Sequence, residues 1–558
     1  MSSAKEPVTR RFGNGLTVLI KEDKSHPVVS LQYWVGTGSM NEGHWQGSGL
    51  SHLLEHLVFK GTAHFSGQEL ARKVQERGGH WNAYTSVNRT VYYIDGPAES
   101  WQIFLNLLTE LVFFPTFPED EMEREKEVVR REMAMYADDP DSVAYQLLMQ
   151  TLYLKHPRRW PVLGERAAFD CLTRQDVLDY HASRYVPNNV VLSIAGDVDA
   201  AESLSHLELL VENLKSRPLN REPIPHEPHQ FGSRRVRKEF AVPYSKLHLA
   251  WRLPCSAHPD TPALSALSSI LGGGRSARFY EKFHDRLGLV YSIEVHSNQS
   301  ETDEGAFTIS MDVDRAQRDK VRDLVLQELR NLAEEDFTED LKRVCKQTRV
   351  SRLRRRSSAS GVASEMGADW FGSRNLNLSS EWQEAIERVT TEDLHRVCST
   401  WLSSPNVTEV SLDPPGSNAG DEEMASASAG TSLSEHVLGN GMKVVIREDH
   451  RLPLAYACMA FKAGCRAENE HDAGVTDLMS ECLLKGTSTR SAADIARFLE
   501  DIGGAINTST GNNSLSVGCQ VLAEDLDAGL ELMADVVMNP SFPEDAFLKE
   551  QESFVADA

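Results

Sequence analysis

Residues 12–39 read FGNGLTVLIKEDKSHPVVSLQYWVGTGS, and residues 438–465 read LGNGMKVVIREDHRLPLAYACMAFKAGC. Each stretch opens with a Gly-Asn-Gly turn signal and continues with β-branched and apolar residues in runs typical of strands. Two such similar stretches so far apart indicate an internal repeat, which bears on the whole architecture. We therefore expect the region from residue 433 onward to repeat the fold of the first domain.

Three further matches support the repeat, at a constant offset of 425 residues (485 − 60, 503 − 78, 539 − 114). The matched segments are KGT at 60–62 and 485–487, a glycine pair at 78–79 and 503–504, and FPTFPED at 114–120 with NPSFPED at 539–545. Chance is a poor explanation for matches that keep one spacing over this length.

Composition divides the 558 residues further. The Pro-rich segment SRPLNREPIPHEPH, from 216 to 229, separates a helical stretch from a strand-rich one and predicts a domain boundary. The segment PPGSNAGDEEMASASAGTS has small, acidic and turn-forming residues that predict a flexible linker. The predicted layout is domains at 1–217, 218–413 and 433–558, with the linker at 414–432. Each domain mixes strands and helices, so the predicted fold class is α+β.

The net charge of −24 argues against a nucleic-acid partner, because phosphate binding needs a basic surface. The strongest basic run, SRLRRR at 351–356, fits a solvated helix face or a charge partner for the acidic remainder. The N-terminal residues include no apolar stretch of signal-peptide length, and no window reaches the roughly 18 apolar residues of a membrane helix. We expect peptide partners, no membrane partner and a cytoplasmic location.

The segment GLSHLLEHLVFKGT, residues 49–62, carries the candidate chemistry. On a helix, His52 and His56 project from one face about a turn apart and can share a metal ion. Glu55 lies beside that face, where a carboxylate can act on water at the metal. This HxxEH order is the inverted form of the HExxH zinc motif.

Zinc hydrolases usually have three protein ligands and keep one position open for water, so the two histidines need a third ligand. The helical stretch EDEMEREKEVVRREMAMYADDP, residues 119–140, carries Glu125 and Glu132 seven residues apart and hence on nearly the same face. Spacing alone does not choose among its many acids, each of which also fits a salt-bridged helix position.

Three segments together resemble the insulinase/pitrilysin family of zinc metallopeptidases, M16: GLSHLLEHLVFKGT at 49–62, NAYTSVNRTVYY at 82–93 and REKEVVRREMAMYADDP at 124–140. The resemblance implies tandem homologous α/β-sandwich domains, one Zn²⁺ per chain and Glu132 as the third ligand. Glu125 matches an acidic position just outside the ligand set. The implied reaction is hydrolysis of peptide bonds in short or unfolded peptides, with Glu55 as general base.

The resemblance also implies residues that bind substrate. Family substrates add as a strand to a sheet edge matched here by Asn82 and Ala83, and Phe59 matches an apolar wall of the pocket beyond the scissile bond. Plain core packing is the alternative reading of Phe59. In the second domain Tyr291 matches a substrate-binding tyrosine, but His284 stands where the family has an arginine.

Two-halved family members close like a clam shell around a chamber, with one active and one degenerate half. Asp477, Ser480 and Glu481 align with the zinc-motif residues, so the repeat is expected not to bind zinc. About 126 residues follow the linker, where a full half needs roughly 400, so the second half is expected to be incomplete. The alternative function is a non-catalytic or inactive subunit that needs a partner, and a homodimer or a second chain could complete the chamber.

Overall fold

The computed structural model forms two compact units, Met1–Asp421 and Glu422–Ala558. The structure describes residues 6–219, 223–299, 305–402, 406–415, 433–447, 454–464, 468, 474–502, 504–511 and 514–557. The predicted linker therefore lies, apart from its first two residues, outside the described residues. No helix in the described ranges has both the length and the apolar composition needed to cross a membrane.

The first unit contains two sheets. One has the strand order β1-β2-β6-β3-β5-β4 and the other β7-β11-β8-β10-β9. The strands of the first sheet are β1 (Val8–Arg11), β2 (Thr17–Glu22), β3 (Val28–Val35), β4 (His80–Thr85), β5 (Thr90–Pro97) and β6 (Val190–Gly196). Those of the second sheet are β7 (Arg234–Glu239), β8 (Ser245–Leu253), β9 (Val290–Asn298), β10 (Gly305–Val313) and β11 (Thr408–Asp413).

Helices cover these sheets, and the predicted α+β class is confirmed. The first seven are α1 (Leu50–Val58), α2 (Gly67–Gln75), α3 (Trp101–Phe113), α4 (Glu119–Asp138), α5 (Pro140–Leu152), α6 (Arg166–Asp170) and α7 (Arg174–Arg184). The remaining α-helices of the unit are α8 (Ala200–Val211), α9 (Thr261–Gly272), α10 (Arg318–Asn331), α11 (Thr338–Arg355), α12 (Ala359–Ser373), α13 (Leu378–Glu387) and α14 (Thr391–Val397).

The first sheet is covered on both faces, which explains why β3 and β6 are buried almost without alternation. The larger core lies on the face that carries α1 and α3. Helix α12 covers the other face, where Ala363 and Met366 pack against Trp34. A Cβ at Gly367 would lie 2.3 Å from a ring atom of Trp34, so only glycine lets this helix approach so closely.

Helix α5 makes the reciprocal contact with the second sheet. Leu148 and Leu152 pack against Ala250 and Val410. The two halves of the first unit therefore exchange covering helices, since α5 precedes the second sheet in the chain and α12 follows most of it. This exchange joins the two sheets into one body.

The repeated FPTFPED motif forms a tight turn before a long helix. Phe117 has a φ of 48° and Phe542 a φ of 45°, a region that non-glycine residues seldom occupy. Phe117 is buried, and its carbonyl oxygen accepts a 2.6 Å hydrogen bond from Arg174 Nε. The motif thus recurs because the same strained turn begins α4 and its counterpart in the second unit.

The second unit repeats part of the first. Its strands are β12 (Leu433–Val437), β13 (Lys443–Arg447), β14 (Leu454–Phe461), β15 (Ala505–Thr510) and β16 (Leu515–Leu522). The order β14-β16-β15 is that of β3-β5-β4 in the first sheet. Its helices are α15 (Val475–Leu483), α16 (Ala492–Asp501), α17 (Leu526–Met538) and α18 (Glu544–Asp557).

Candidate metal centre

Helix α1 presents the two histidines of the HxxEH motif. The helix begins after Gly49, which has a φ of 72° and whose Cβ would lie 1.9 Å from the Leu163 carbonyl oxygen. Leucines, a valine and Ser51 are buried on α1, and the partly buried His52, Glu55 and His56 lie together on the other face. The His52 and His56 rings have centroids 4.7 Å apart.

Helix α4 brings Glu132 to these rings. Glu132 Oε2 lies 3.9 Å from His52 Nε2 and 3.8 Å from His56 Nε2. These separations are too long for hydrogen bonds, but one ion can join all three atoms, because zinc bonds of 2.0–2.2 Å place tetrahedral ligands about 3.4 Å apart. In the described part of the chain, these residues form the group of His, Cys, Asp and Glu side chains whose geometry suits a metal ion.

Glu125 contacts the centre from behind His56. Its Oε2 lies 3.1 Å from His56 Nδ1, and its Oε1 makes a 2.6 Å ion pair with Lys60. A carboxylate at Nδ1 sets the tautomer that leaves Nε2 as a lone-pair donor, which is the usual outer support of a metal-binding histidine. His52 has no equivalent support, since its buried Nδ1 has no hydrogen-bond partner among the described residues.

Glu55 lies on the same helix but is held by the neighbouring strand. Thr85, the last residue of β4, donates a 2.5 Å hydrogen bond from Oγ1 to Glu55 Oε2. Glu55 is therefore anchored outside the convergent donor set formed by the histidines and Glu132. A carboxylate beside a metal site can take a proton from water and give it to a leaving amine.

Burial shifts the protonation of the groups at the centre. Burial lowers the pKa of His52 to about 4, and the charge of His56 acts in the same direction. His52 is therefore neutral near pH 7, as a metal ligand must be. Burial raises the pKa of Glu55 above its ordinary value, although the Thr85 hydrogen bond opposes the shift. Burial alone would lower the pKa of His56, but Glu125 and Glu55 hold it above the ordinary value.

Three of the residues expected to bind substrate lie near α1. The Phe59 ring stands edge-on to Trp81 at 4.9 Å and is partly buried against the main core, so it has a packing role in any case. Asn82 and Ala83 lie on β4, which among the described strands pairs with β5 alone and is the outer strand of its sheet. The Asn82 side-chain oxygen accepts a 2.9 Å hydrogen bond from the Ala83 amide.

Tyr291 is placed elsewhere, on β9 of the second sheet. Its side chain is exposed, and its ring lies 5.3 Å from that of Tyr244. Among the described residues no hydrogen bond, ion pair or ring contact joins Tyr291 to the residues on α1 or α4. His284, at the position where the family has an arginine, stacks on Tyr280 instead.

Two residues of the centre were not singled out from the sequence. Lys60 comes four residues after His56, just beyond the end of α1, and Thr85 lies inside the segment NAYTSVNRTVYY that carries part of the family resemblance. Their spacing in the chain gave no sign of their partners, because each contact depends on how α4 or β4 packs against α1. In the second unit Asp477, Ser480 and Glu481 replace the zinc-motif residues on α15.

Comparison with family models defines the class of protein. The description "Insulinase (Peptidase family M16)" matches residues 17–166 and 443–557, and "Peptidase M16 inactive domain" matches residues 172–347. Together these matches span more than half of the chain, which therefore belongs to the M16 peptidase family. The same description matches both units, in agreement with the internal repeat, and the inactive-domain match contains none of the residues at the metal centre.

Individual proteins agree with this assignment. The chain is 27% identical over 406 residues to an uncharacterized zinc protease of Rickettsia felis, covering 71% of this chain and 94% of that protein. It is 28% identical over 385 residues to the uncharacterized zinc protease YmxG of Bacillus subtilis, covering 69% and 92%. The crystal structure of a protease from Helicobacter pylori matches with a TM-score of 0.67 and 26% identity, covering 73% of this chain and 100% of that one.

Proposed function

We propose that this chain is a zinc-dependent endopeptidase that hydrolyses peptide bonds in short or unfolded peptides. The observation that carries the proposal is the convergence of His52 Nε2, His56 Nε2 and Glu132 Oε2 on one point, with Glu55 beside it but outside the donor set. Two imidazoles and one carboxylate are the ligand set of many catalytic zinc sites.

The residues of the chain would divide the work as follows. His52, His56 and Glu132 would hold Zn²⁺, which when bound lowers the pKa of water and polarises a carbonyl group. Glu55 takes the proton from the attacking water and returns it to the departing amine. Its raised pKa suits this exchange. A carboxylate whose pKa lies closer to the working pH takes up a proton more readily and can still give it back.

Substrate binding would use the outer edge of β4. An extended peptide that pairs with Asn82 and Ala83 is held mainly through its backbone, so many sequences are accepted. The Ala83 amide donates a hydrogen bond to the Asn82 side chain, which would have to turn away before a bound peptide could accept from that amide. Phe59 would line the pocket next to the scissile bond, while the exposed Tyr291 would contact a peptide only where the substrate extends to the second sheet.

The test is metal content and peptide cleavage on the whole chain and two variants. We expect about one zinc per chain by elemental analysis, and cleavage of a quenched fluorescent peptide. Glu55→Gln should keep the zinc and lose turnover, while His56→Ala should lose both. His64→Ala is the matched control, because His64 is exposed and pairs with Glu110 away from the centre.

Other outcomes of this test would refute the proposal or favour the second candidate function. Absence of zinc at micromolar free metal, or full turnover by Glu55→Gln, would refute the proposed chemistry. Zinc without turnover would favour the second candidate, a subunit that is inactive alone. The observation that favours this candidate is the replacement of the zinc motif by Asp477, Ser480 and Glu481 in the second unit. Sedimentation would then establish whether the chain forms a homodimer or needs a different chain.

A further inference from the structure

The contact between Thr85 and Glu55 joins a strand to the helix that carries the metal motif. Thr85 Oγ1 lies 2.5 Å from Glu55 Oε2, and both side chains are partly buried. A hydroxyl hydrogen bond to a carboxylate at this distance is charge-assisted and stronger than a neutral one. One carboxylate oxygen of the proposed general base, Glu55 Oε2, is therefore held by the Thr85 hydroxyl.

A second contact joins β4 to the end of α1 and fixes how the strand runs along the helix. The Trp81 ring packs edge-on against Phe59 at 4.9 Å. Trp81 and Thr85 lie four residues apart on one face of β4, while Glu55 lies on α1 and Phe59, four residues later, is the C-cap of that helix. The strand thus crosses α1 with two attachment points, one apolar and one polar, and the polar one ends on Glu55.

We propose that Thr85 is the positioning residue of Glu55, an inference that rests on the function proposed above. Glu55 is adjacent to His56 in sequence and can swing towards the metal ligands by rotating its side chain. The Thr85 hydroxyl holds Oε2 and keeps the carboxylate beside the ligand set, where it can exchange a proton without occupying the position that water needs. Since β4 is also the proposed peptide-binding strand, Thr85 aligns the base with the strand on which the substrate lies.

The second unit provides the competing explanation. Thr510 ends β15 as Thr85 ends β4, and its Oγ1 donates a hydrogen bond to Asp477, the residue aligned with His52. Ser480 stands at the position of Glu55. A hydroxyl-to-carboxylate contact from strand to helix therefore recurs where there is no base, so the threonine could serve only to attach the strand. The experiment must separate attachment from positioning.

The variants are Thr85→Val, which keeps the shape and removes the hydroxyl, Thr85→Ser, which keeps the hydroxyl, and Thr510→Val as the matched control. We expect Thr85→Val to lower kcat by roughly tenfold or more with KM within about twofold, because a misplaced base loses rate and not affinity. Thr85→Ser should recover kcat to within about threefold, and Thr510→Val should leave kcat unchanged. Thermal unfolding of each variant reports any loss of attachment.

A second measurement does not need turnover. In the chain loaded with Co²⁺, the visible absorption weakens when a further ligand joins a four-coordinate ion. We expect this weakening in Thr85→Val, where the released Glu55 reaches the metal, and not in Thr85→Ser or Thr510→Val. If wild type binds Co²⁺ but cleaves no peptide, the proposed function fails, and the absorption alone decides the role of Thr85.

Two results would overturn the positioning role. One is a Thr85→Val chain with wild-type kcat and wild-type Co²⁺ absorption. The other is a Thr85→Ser chain as impaired as Thr85→Val, because the hydroxyl would then not be the group that matters. A loss of kcat in Thr85→Val that Thr85→Ser restores, or the altered absorption confined to Thr85→Val, would support the role.

Discussion

Glu42 and Ser51 are nine residues apart in the chain, and Glu42 Oε1 accepts a 2.8 Å hydrogen bond from the Ser51 amide. Helix α1 needs this acceptor, because Gly49 at its N-cap has no side chain to satisfy the first amides. Glu468 does the same for α15, accepting from the amides of Gly474 and Thr476. A carboxyl group from the preceding loop thus caps the motif helix in both units, whether or not metal ligands follow.

The Glu42 cap predicts an unusual dependence of stability on pH. Burial raises its pKa to about 8 from an ordinary value of 4.5. The folded state therefore binds this proton more tightly than the unfolded state does, and the contribution of Glu42 to stability falls as pH rises through this window. Relative to Glu42→Gln, the free energy of unfolding of wild type should fall by on the order of 4 kcal/mol between pH 5 and pH 8.

Urea unfolding followed by tryptophan fluorescence measures this directly, because all nine tryptophans lie before residue 402 and report on the first unit alone. Glu468→Gln is the control and should leave the pH dependence of this signal unchanged. If the free energy of unfolding varied with pH in the same way for wild type and Glu42→Gln, the prediction would fail, and the Glu42 carboxyl would titrate near its ordinary value.

Removal of Glu125 should weaken zinc binding without removing a ligand. Glu125→Ala takes away the partner of His56 Nδ1, and loss of such an outer carboxylate typically lowers metal affinity by about 10- to 100-fold. Competition with a chromophoric chelator at pH 7 gives the affinity. Glu123→Ala, an exposed position on the same helix, is the control. Equal affinities for the two variants would mean that His56 is oriented by packing alone.

A methyl group at position 367 should loosen the contact between α12 and the first sheet. In Gly367→Ala the new Cβ would meet the Trp34 ring at 2.3 Å, and overpacking of this kind typically costs about 1–3 kcal/mol. Urea unfolding should show a lower midpoint. Gly232→Ala, where a Cβ meets nothing within 4 Å, is the control and should have the same urea midpoint as wild type.

Glu227 should stabilise the connection between the two halves of the first unit. Its carboxylate accepts hydrogen bonds from the amides of Leu154, Lys155 and His156 at 2.7, 2.8 and 3.0 Å, just after α5. Burial alone would raise the pKa of Glu227, but these three donors hold it below the ordinary value. Its contribution is therefore present above pH 4.5 and lost as pH falls through the folded-state pKa.

Glu227→Ala should lower the free energy of unfolding at pH 7 by roughly 1–3 kcal/mol, because three backbone amides, of which that of His156 is buried, lose their acceptor. Acid unfolding should then be less steep in the variant than in wild type. Glu208→Ala, an exposed acid on α8, serves as the control. An unchanged midpoint in Glu227→Ala would mean that water satisfies these amides.

Local features of the metal centre were predictable from the sequence. Helical periodicity places His52 and His56 on one face of α1, and the repeated turn motifs indicate two related units of mixed strands and helices. Glu132 was different, because α4 carries many acids and its periodicity treats Glu125 and Glu132 alike. Only the family resemblance distinguished them, and their roles as ligand and outer support stay a prediction.

The sequence by itself determined the elements of this protein and the order of their chemical groups, since turn signals, apolar periodicity and residue spacing act over a few neighbouring positions. The tertiary structure decided which groups meet. An amphipathic pattern identifies the apolar face of α5 or α12 but not the sheet that it covers, and the two helices cover each other's sheets. Likewise, Thr85 meets Glu55 and Glu42 meets Ser51 only because strand, loop and helix pack at particular angles. Such contacts depend on shape complementarity between distant segments, which spacing along one chain does not encode in readable form.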